Sequence, residues 1–527
     1  MSVIKNQNKR LESKDMKITL ISTTTSEDQG IRTLSSVLKK EGYGVNLVFM
    51  PLNKGYYSLY DKKILEQLKN ICIDSKLIGV SCFINTKPKA VQIMNFLKRN
   101  TKATIIFGGI HVTLAPDECI KDNDILCIGE GEYAILDIAK AVNSNKTLDK
   151  IPNLWIKNKE TGKIIKNPVR NLIDNLDELP YPDFDFENHY ILDKDKIRKF
   201  KEEDLCKEIL FLSGRGCPHS CDYCSNSTYN ELYCGKRKRI IRYHSNDYII
   251  DFLKQIKEKF RSLIYIALWD DTFSLRSLDE IKDFSYKYKK SIGIKLKIQI
   301  DARTITDEKV KYLIDSGCSY VSLGIQGSER VNKEIYHRYI SEENILRTAD
   351  ILSKYTDKIV ISYDIIATNP YESEQDILNL INLIIKLPKP FKLYTSNLIF
   401  FVGSKLYNKA VEDRTIKSVK DTGLDLIYEA RGQHILLKKK NIYLNSILNL
   451  MRGYTTNDKY GGLSKKQLDF LLKKKLIRFF NDNSSHTYIV PYSLMFFDFI
   501  KYNFIKPVYL KMPQSIKKLA GKRVEFG

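Results

Sequence analysis

SGRGCPHSCDYCSN, residues Ser213–Asn226, sets Cys217, Cys221 and Cys224 within eight positions of a chain whose ten cysteines are otherwise thinly spread. The preceding EILFLSG (208–214) has the apolar run of a buried strand, so the thiols stand on the loop leaving that strand's carboxyl end. The spacing C-x3-C-x2-C is one thiolate short of the four that close a structural zinc site or an electron-transfer cluster. Three thiolates on a [4Fe–4S] cluster leave one iron open to substrate atoms. Zinc is the competing reading, with His219, Cys206 or Cys234 near enough in sequence to supply a further ligand.

Five more apolar runs follow: LIYIALWD (263–270), KLKIQI (295–300), YVSLGI (320–325), VISYDIIA (360–367) and LYTSNLIF (393–400). Each is separated from the next by a stretch long enough for a helix. Six β/α units predict an incomplete relative of the eightfold barrel, with its chemistry at the strand carboxyl ends. Toward the N-terminus, KITLIS, GVNLVFM, LIGVSC, TIIFGG and DILCIG alternate with amphipathic segments, which predicts a parallel sheet covered by helices on both faces. The strand ends of this earlier series carry Ser22–Gly30, Ser81–Thr86, Gly108–Gly109 with His111, and Gly129–Glu132. The expected organisation is a polar leader (1–16), the first domain (17–145), a Pro- and Gly-broken connector with a small hairpin (146–204), the barrel (205–403) and a basic, mainly helical C-terminal part (404–527).

The formal charge is +23, and the lysines are interleaved with glutamates except in the C-terminal part, where basic residues accompany the aromatic run SLMFFDFIKYNFIKPVYLKM (493–512). That run suggests a peripheral membrane contact and a lipid among the candidate substrates. The opening residues are polar and no stretch has the roughly 18 uninterrupted apolar residues of a membrane span, so a cytoplasmic protein is expected. In a reducing compartment clustered cysteines point to metal or redox chemistry rather than disulfides. Gly129-x-Gly131-x-x-Ala134 fits a dinucleotide fingerprint only formally, because it follows the fifth strand and the fingerprint belongs after the first.

Cys217-x3-Cys221-x2-Cys224, with Tyr223 before the last cysteine and the segment placed after the first barrel strand, resembles the radical S-adenosylmethionine (radical SAM) superfamily. The resemblance implies a [4Fe–4S] cluster on the three cysteines, S-adenosylmethionine chelated to its open iron, and reductive cleavage to a 5′-deoxyadenosyl radical. It makes Asp270 and Asp271 in LWDDTF candidates for the methionyl ammonium, where a carboxylate suits the charge. Gln299 and Arg303 in QIDART become candidates for the ribose or carboxylate, with a rim salt bridge as the alternative for Arg303. Gln326 stands in GIQGS where relatives commonly carry an acid, so a proton-accepting role at that position does not carry over. DIIATNPYESEQDI (364–377) occupies the place of a glycine-rich segment without its glycines.

GIRTLSSVLKKEGYGV, IGVSCFINTKPKAV, FGGIHVTLAPDE and CIGEGEYAI together resemble the cobalamin-binding domain fused to one large radical SAM class. The resemblance implies an α/β chain: an N-terminal Rossmann-like (flavodoxin-like) cobalamin-binding domain, a partial (β/α)6 radical SAM barrel, and a mainly helical C-terminal part. It places Ser81, Gly108, Gly109, His111, Gly129, Glu130 and Gly131 beside the corrin. The Asp-x-His-x-x-Gly motif is absent from the first loop, which implies that His111 hydrogen-bonds the corrin edge rather than ligating cobalt. The implied function is radical methylation of an unactivated carbon of a small-molecule, natural-product or lipid substrate, with an external flavodoxin- or ferredoxin-type electron donor. Cyclisation, oxidation or ring rearrangement without methyl transfer is one alternative, and RNA modification another, although no nucleic-acid partner is expected.

Overall fold

The computed structural model describes residues 14–51, 56, 58–205, 207–236, 241–424 and 441–482. The aromatic run at 493–512 and Cys206 lie outside the described residues. The chain forms two compact units, one from the described residues of Met1–Gln299, Asp315–Cys318 and Phe400–Tyr428, the other from those of Ile300–Ile314, Ser319–Ile399 and Glu429–Gly527.

In the first unit β1 (Lys14–Ser22), β2 (Tyr43–Phe49), β3 (Ser75–Ser81), β4 (Thr104–Gly108) and β5 (Ile125–Cys127) are parallel and lie in the order 5-4-3-1-2. They alternate with α1 (Gln29–Lys40), α2 (Lys62–Cys72), α3 (Lys87–Asn100), the short α4 (Ile110–Leu114) and α5 (Pro116–Cys119), and α6 (Glu132–Asn143). This is the flavodoxin-like order, whose switch point lies between β1 and β3, and ligands of such sheets gather at the carboxyl ends there. β1 begins at Lys14, so the sheet takes in the last residues of the expected leader.

The expected connector is largely part of this sheet. β6 (Leu154–Lys157) and β7 (Ile164–Lys166) form a hairpin antiparallel to β5, while β8 (His189–Asp193) pairs parallel to β2 and carries β9 (Lys196–Lys199). Buried Arg32 ties the segment down: it donates to the carbonyl of Asp183 at 2.7 Å and lies 4.2 Å over the Phe184 ring.

The same unit holds β10 (Glu208–Phe211), the short antiparallel pair β11 (Gly214–Arg215) and β12 (Arg242–Tyr243), α7 (Ser225–Leu232), α8 (Asn246–Lys259), β13 (Tyr265–Leu268), α9 (Leu278–Ser291) and β14 (Lys295–Ile300, its last residue excepted). β10, β13 and β14 pair in parallel, and the end of β10 feeds directly into the cysteine loop.

The second unit contains α10 (Asp307–Asp315) but for its last residue, then β15 (Cys318–Gln326) from Ser319, α11 (Glu342–Ser353), β16 (Val360–Ala367), α12 (Glu374–Lys386) and β17 (Phe391–Asn397), with the three strands parallel. After α13 (Lys405–Glu412), which belongs to the first unit, α14 (Ile442–Leu450) packs against α12; β18 (Gly453–Thr456), β19 (Lys459–Tyr460) and β20 (Leu463–Ser464) extend the sheet antiparallel from β17; and α15 (Lys465–Leu471) and α16 (Lys474–Asp482) follow. The described residues of the C-terminal part are therefore mainly helical but add three short strands. α14 is buried from Ile442 to Leu448, and its Asn445 accepts from the Thr368 N–H at 2.8 Å, fixing the loop after β16.

In that loop Glu372 is 1% exposed and neither carboxyl oxygen has a hydrogen bond. Burial first, and neighbouring Asp376 second, push its pKa up to about 8, so it is protonated in the folded protein at neutral pH. An unfolded glutamate ionises near 4.5, so the folded state holds the extra proton between about 4.5 and 8 and stability falls as pH rises through that window. Glu372→Gln keeps the neutral shape. It is expected to raise the melting temperature by several degrees at pH 8 and hardly at pH 4.5, and equal shifts at both would show an ionised Glu372 instead.

Candidate functional site

The cysteine loop is shaped by its own backbone. The Cys224 N–H donates to the Cys221 carbonyl at 2.9 Å, the Asn230 amide donates to the Cys217 carbonyl at 3.1 Å, and Cys224 caps the N-terminus of α7. A helix N-terminus favours anionic sulfur, by its dipole and its free N–H groups. None of the three forms a disulfide; Cys221 is buried and the other two are partly so. Loss of water raises Cys217 to about 12 and Cys224 to about 11, and the neighbouring thiols add to both shifts. Without a metal these groups are thiols, and a cation would be needed to hold them as thiolates.

Among the described residues the one group of three ligand side chains within 4.8 Å of one another is Asp183, Asp185 and His189. The three cysteines are not that close, whereas one tetrahedral zinc with 2.3 Å bonds holds its sulfurs about 4 Å apart. The Asp183 group already has its cation: Lys39 Nζ lies 2.7 Å from Asp183 and also meets Asp185.

The two aspartates of LWDDTF differ sharply. Asp270 is 2% exposed and accepts from the Ser213 N–H at 2.6 Å, the Ser213 hydroxyl at 2.7 Å, the Gly214 N–H at 3.0 Å and Arg276 Nη1 at 2.8 Å. It joins the ends of β10 and β13. Asp271 is exposed at the rim, accepts from Asn226 at 2.8 Å and acts electrostatically on Cys217 and Cys224. Desolvation, reinforced by the adjacent Asp270 charge, raises its pKa. Asp271 is thus the carboxylate that remains available beside the thiols.

A second set of bonds docks the cysteine loop on the carboxyl edge of the first sheet. Gln29 exchanges two hydrogen bonds with the Leu212 backbone, at 2.5 and 3.3 Å. Glu130 accepts from Arg215 at 3.1 Å, from Arg242 at 2.9 and 3.2 Å, and from the Ile173 N–H at 3.1 Å; Glu132 accepts from Arg215 at 2.7 Å. The two arginines lower the pKa of Glu130 against the opposing effect of its burial. Glu130 anchors β11 and β12. Gly129, at φ 79°, has no room for a side chain because a Cβ would lie 2.0 Å from the Tyr233 hydroxyl, which accepts from the Glu130 N–H at 2.8 Å. Gly131 precedes α6, and a Cβ there would make only ordinary contact with Leu34.

Ser81 is half-buried at the end of β3. Gly109, at φ 99°, lets β4 pass so near β3 that a Cβ would meet the Cys82 backbone at 2.6 Å, while a Cβ on Gly108 would meet nothing closer than 3.7 Å. His111 is fully buried, yet neither ring nitrogen has a hydrogen-bond partner among the described residues. Burial lowers its pKa to about 4, so the ring is neutral at physiological pH. A buried imidazole with a donor and an acceptor unmet is strongly unfavourable unless a bound group completes it.

Of the remaining candidates, Tyr223 is half-buried within the cysteine loop, and Gln299 is half-buried on β14 among alternating buried Leu296, Ile298 and Ile300. Arg303 and Gln326 belong to the second unit. Arg303 donates to both carboxylate oxygens of Asp301, at 2.9 and 2.6 Å, and to the Tyr339 carbonyl at 3.0 Å, which is the rim salt bridge considered as its alternative. Gln326 ends β15 at φ 67°, where the register with β16 shifts, and backbone strain of this kind in a non-glycine residue concentrates at functional sites. Sequence reasoning missed Gln29, Glu132, Arg215, Tyr233, Arg242 and Arg276. The second acid of GEGE and the arginine two residues before Cys217 were legible signals; the others were not.

Residues 211–384 match the family model described as Radical SAM superfamily, and residues 19–139 match the B12 binding domain. An uncharacterized methyltransferase of Pyrococcus horikoshii is 25% identical over 406 residues, spanning 75% of this chain and 80% of that one. The fold is similar to TsrM from Kitasatospora setae, a radical S-adenosylmethionine methyltransferase solved with tryptophan substrate and a SAM analog, at TM-score 0.60 and 14% identity over 76% of this chain and 77% of that chain. It is also similar to the cobalamin-dependent S-adenosylmethionine radical enzyme OxsB with aqua-cobalamin and S-adenosylmethionine bound, at TM-score 0.55 and 18% identity over 77% of this chain and 56% of that chain.

Proposed function

Since this chain belongs to the cobalamin-binding radical S-adenosylmethionine proteins, we propose that it methylates an unactivated carbon of a small-molecule substrate. When bound, the cluster, S-adenosylmethionine and cobalamin supply reductive cleavage of the sulfonium and transfer of a methyl group, with the electron coming from an external flavodoxin- or ferredoxin-type donor. Cys217, Cys221 and Cys224 would hold the cluster and leave one iron for S-adenosylmethionine. Asp271 would accept from the methionyl ammonium, with Tyr223 and Gln299 along the same cofactor. Ser81 and Gly108 would face the corrin, and His111 would bond its edge through the ring nitrogens that lack partners. The methyl outcome is favoured over cyclisation, oxidation or RNA modification because the relative matched over 80% of its length is named a methyltransferase.

The observation that carries this reading is the docking of the cysteine loop on the carboxyl edge of the flavodoxin-like sheet through Gln29, Glu130 and Glu132. On this reading those bonds would set the residues proposed for the cluster beside those proposed for the corrin. Anaerobic reconstitution with iron, sulfide and hydroxocobalamin, followed by iron and cobalt quantification and assay for 5′-deoxyadenosine with a chemical reductant, tests it. Iron without corrinoid would remove methyl transfer from the reading. His111→Ala is expected to weaken hydroxocobalamin binding about tenfold, because one charged or well-placed buried hydrogen bond is worth about 1.5 kcal/mol. Absorbance titration would show this, and unchanged affinity would mean the ring faces no cofactor.

A further inference from the structure

We propose that Glu130 is a positioning residue that transmits corrinoid occupancy of the first domain to the iron–sulfur loop. The inference rests on the two-cofactor reading above, but it assigns Glu130 a role that neither cofactor site includes.

A hydrogen-bonded path crosses from one region to the other without a gap. At its corrin end the His111 N–H donates to the Cys82 carbonyl at 3.2 Å, and the Cys82 N–H donates to the Gly108 carbonyl at 3.0 Å. The Thr113 hydroxyl, one turn along α4, donates to the Gly109 carbonyl at 3.2 Å and accepts from the Gly129 N–H at 3.0 Å. The next residue is Glu130. Its N–H meets the Tyr233 hydroxyl at the end of α7, the helix that Cys224 caps, and its carboxylate meets Arg215, two residues before Cys217, and Arg242 on the strand paired with Arg215. The junction is dry and leaves little slack: the Arg242, Glu130 and Arg215 side chains are 3%, 8% and 22% exposed. Gly129 has no Cβ to hold Tyr233 away.

A shift of the β4–α4 turn on completing His111 is therefore passed to both ends of the cysteine loop. Each site then changes the affinity of the other by one and the same factor, as linkage demands. Such couplings through packed polar networks run to roughly 5-fold or more.

The test uses the full-length protein, with and without its reconstituted cluster, and hydroxocobalamin as the probe. In the wild type, hydroxocobalamin is expected to bind about 5-fold or more tighter to the iron-loaded than to the iron-free form, and to slow iron loss to a chelator. In Glu130→Gln the iron-free affinity is expected to stay at the wild-type value while the difference between the two forms disappears. Tyr233→Phe, which removes one hydroxyl and keeps the ring, is expected to shrink the same difference without unfolding the protein. A full difference in both variants would overturn the proposal, as would loss of corrinoid affinity in the iron-free Glu130→Gln protein, which would make Glu130 a direct corrin contact. A wild type that binds no corrinoid in either form would fail the two-cofactor reading itself, a result distinct from equal binding to both.

Discussion

Replacing Cys221 with alanine is expected to abolish the cluster and all formation of 5′-deoxyadenosine while leaving corrinoid binding at the level of the iron-free wild type. With one thiolate gone, two ligands cannot retain a cluster that already lacks a fourth. The remaining thiols lie in surroundings that raise Cys217 to about 12 and Cys224 to about 11, so neither ionises at neutral pH without metal. Alanine is smaller than cysteine and introduces no charge into the buried position, so the loop anchors through Asn230, Arg215 and Arg242 are untouched. Iron and cobalt quantification after parallel reconstitution decides the matter. Iron retained at wild-type level would move the cluster elsewhere.

The largest effect on stability is expected at Arg276. Its side chain is 2% exposed, sandwiched 4.1 Å from the Tyr243 ring and 4.2 Å from the Phe273 ring, and it donates to Asp270 at 2.8 Å and to the Ser213 hydroxyl at 2.8 Å. Arg276→Ala strands the Asp270 charge in a dry site, and breaking one side of such a buried pair destabilises by about 3–5 kcal/mol. Denaturant unfolding would register it as a lower midpoint, together with a loosened cysteine loop that loses iron. Asp271→Ala provides the contrast. That carboxylate is exposed and has one side-chain hydrogen bond, so the change in stability is expected to stay within about 0.5 kcal/mol, while binding of S-adenosylmethionine weakens. Comparable destabilisation by both variants would mean that the two aspartates share one structural role.

The contrast between these neighbours shows where one-dimensional reading stops. Asp270 and Asp271 are equivalent in LWDDTF, but both lie in the loop beyond the end of β13, where one carboxylate is buried in the junction with Ser213 and the other is exposed. GEGE presents the same problem. Its glycines resemble room left for a flat cofactor, yet the space at Gly129 is filled by Tyr233, which lies more than a hundred residues along the chain. The connector shows the same limit: beyond its expected hairpin, short strands interrupted by Pro and Gly look like coil until the edges of β5 and β2 supply partners.

The amino-acid sequence by itself determined the α/β class, the positions of all six barrel strands, the five strands of the first sheet and the three cysteines. These depend on local quantities: the length of apolar runs, the helical segments between them, and ligand spacing within one loop. Only the tertiary structure decided which polar residues stay free to meet a cofactor. A carboxylate becomes a ligand or an anchor according to the arginines and backbone N–H groups folded against it, and for Glu130 those are Arg215, Arg242 and Ile173. Desolvation acts in the same way. It leaves His111 neutral and without hydrogen-bond partners while Glu130 is paired and charged, because each group's ionisation follows neighbours that the chain brings together only when it folds.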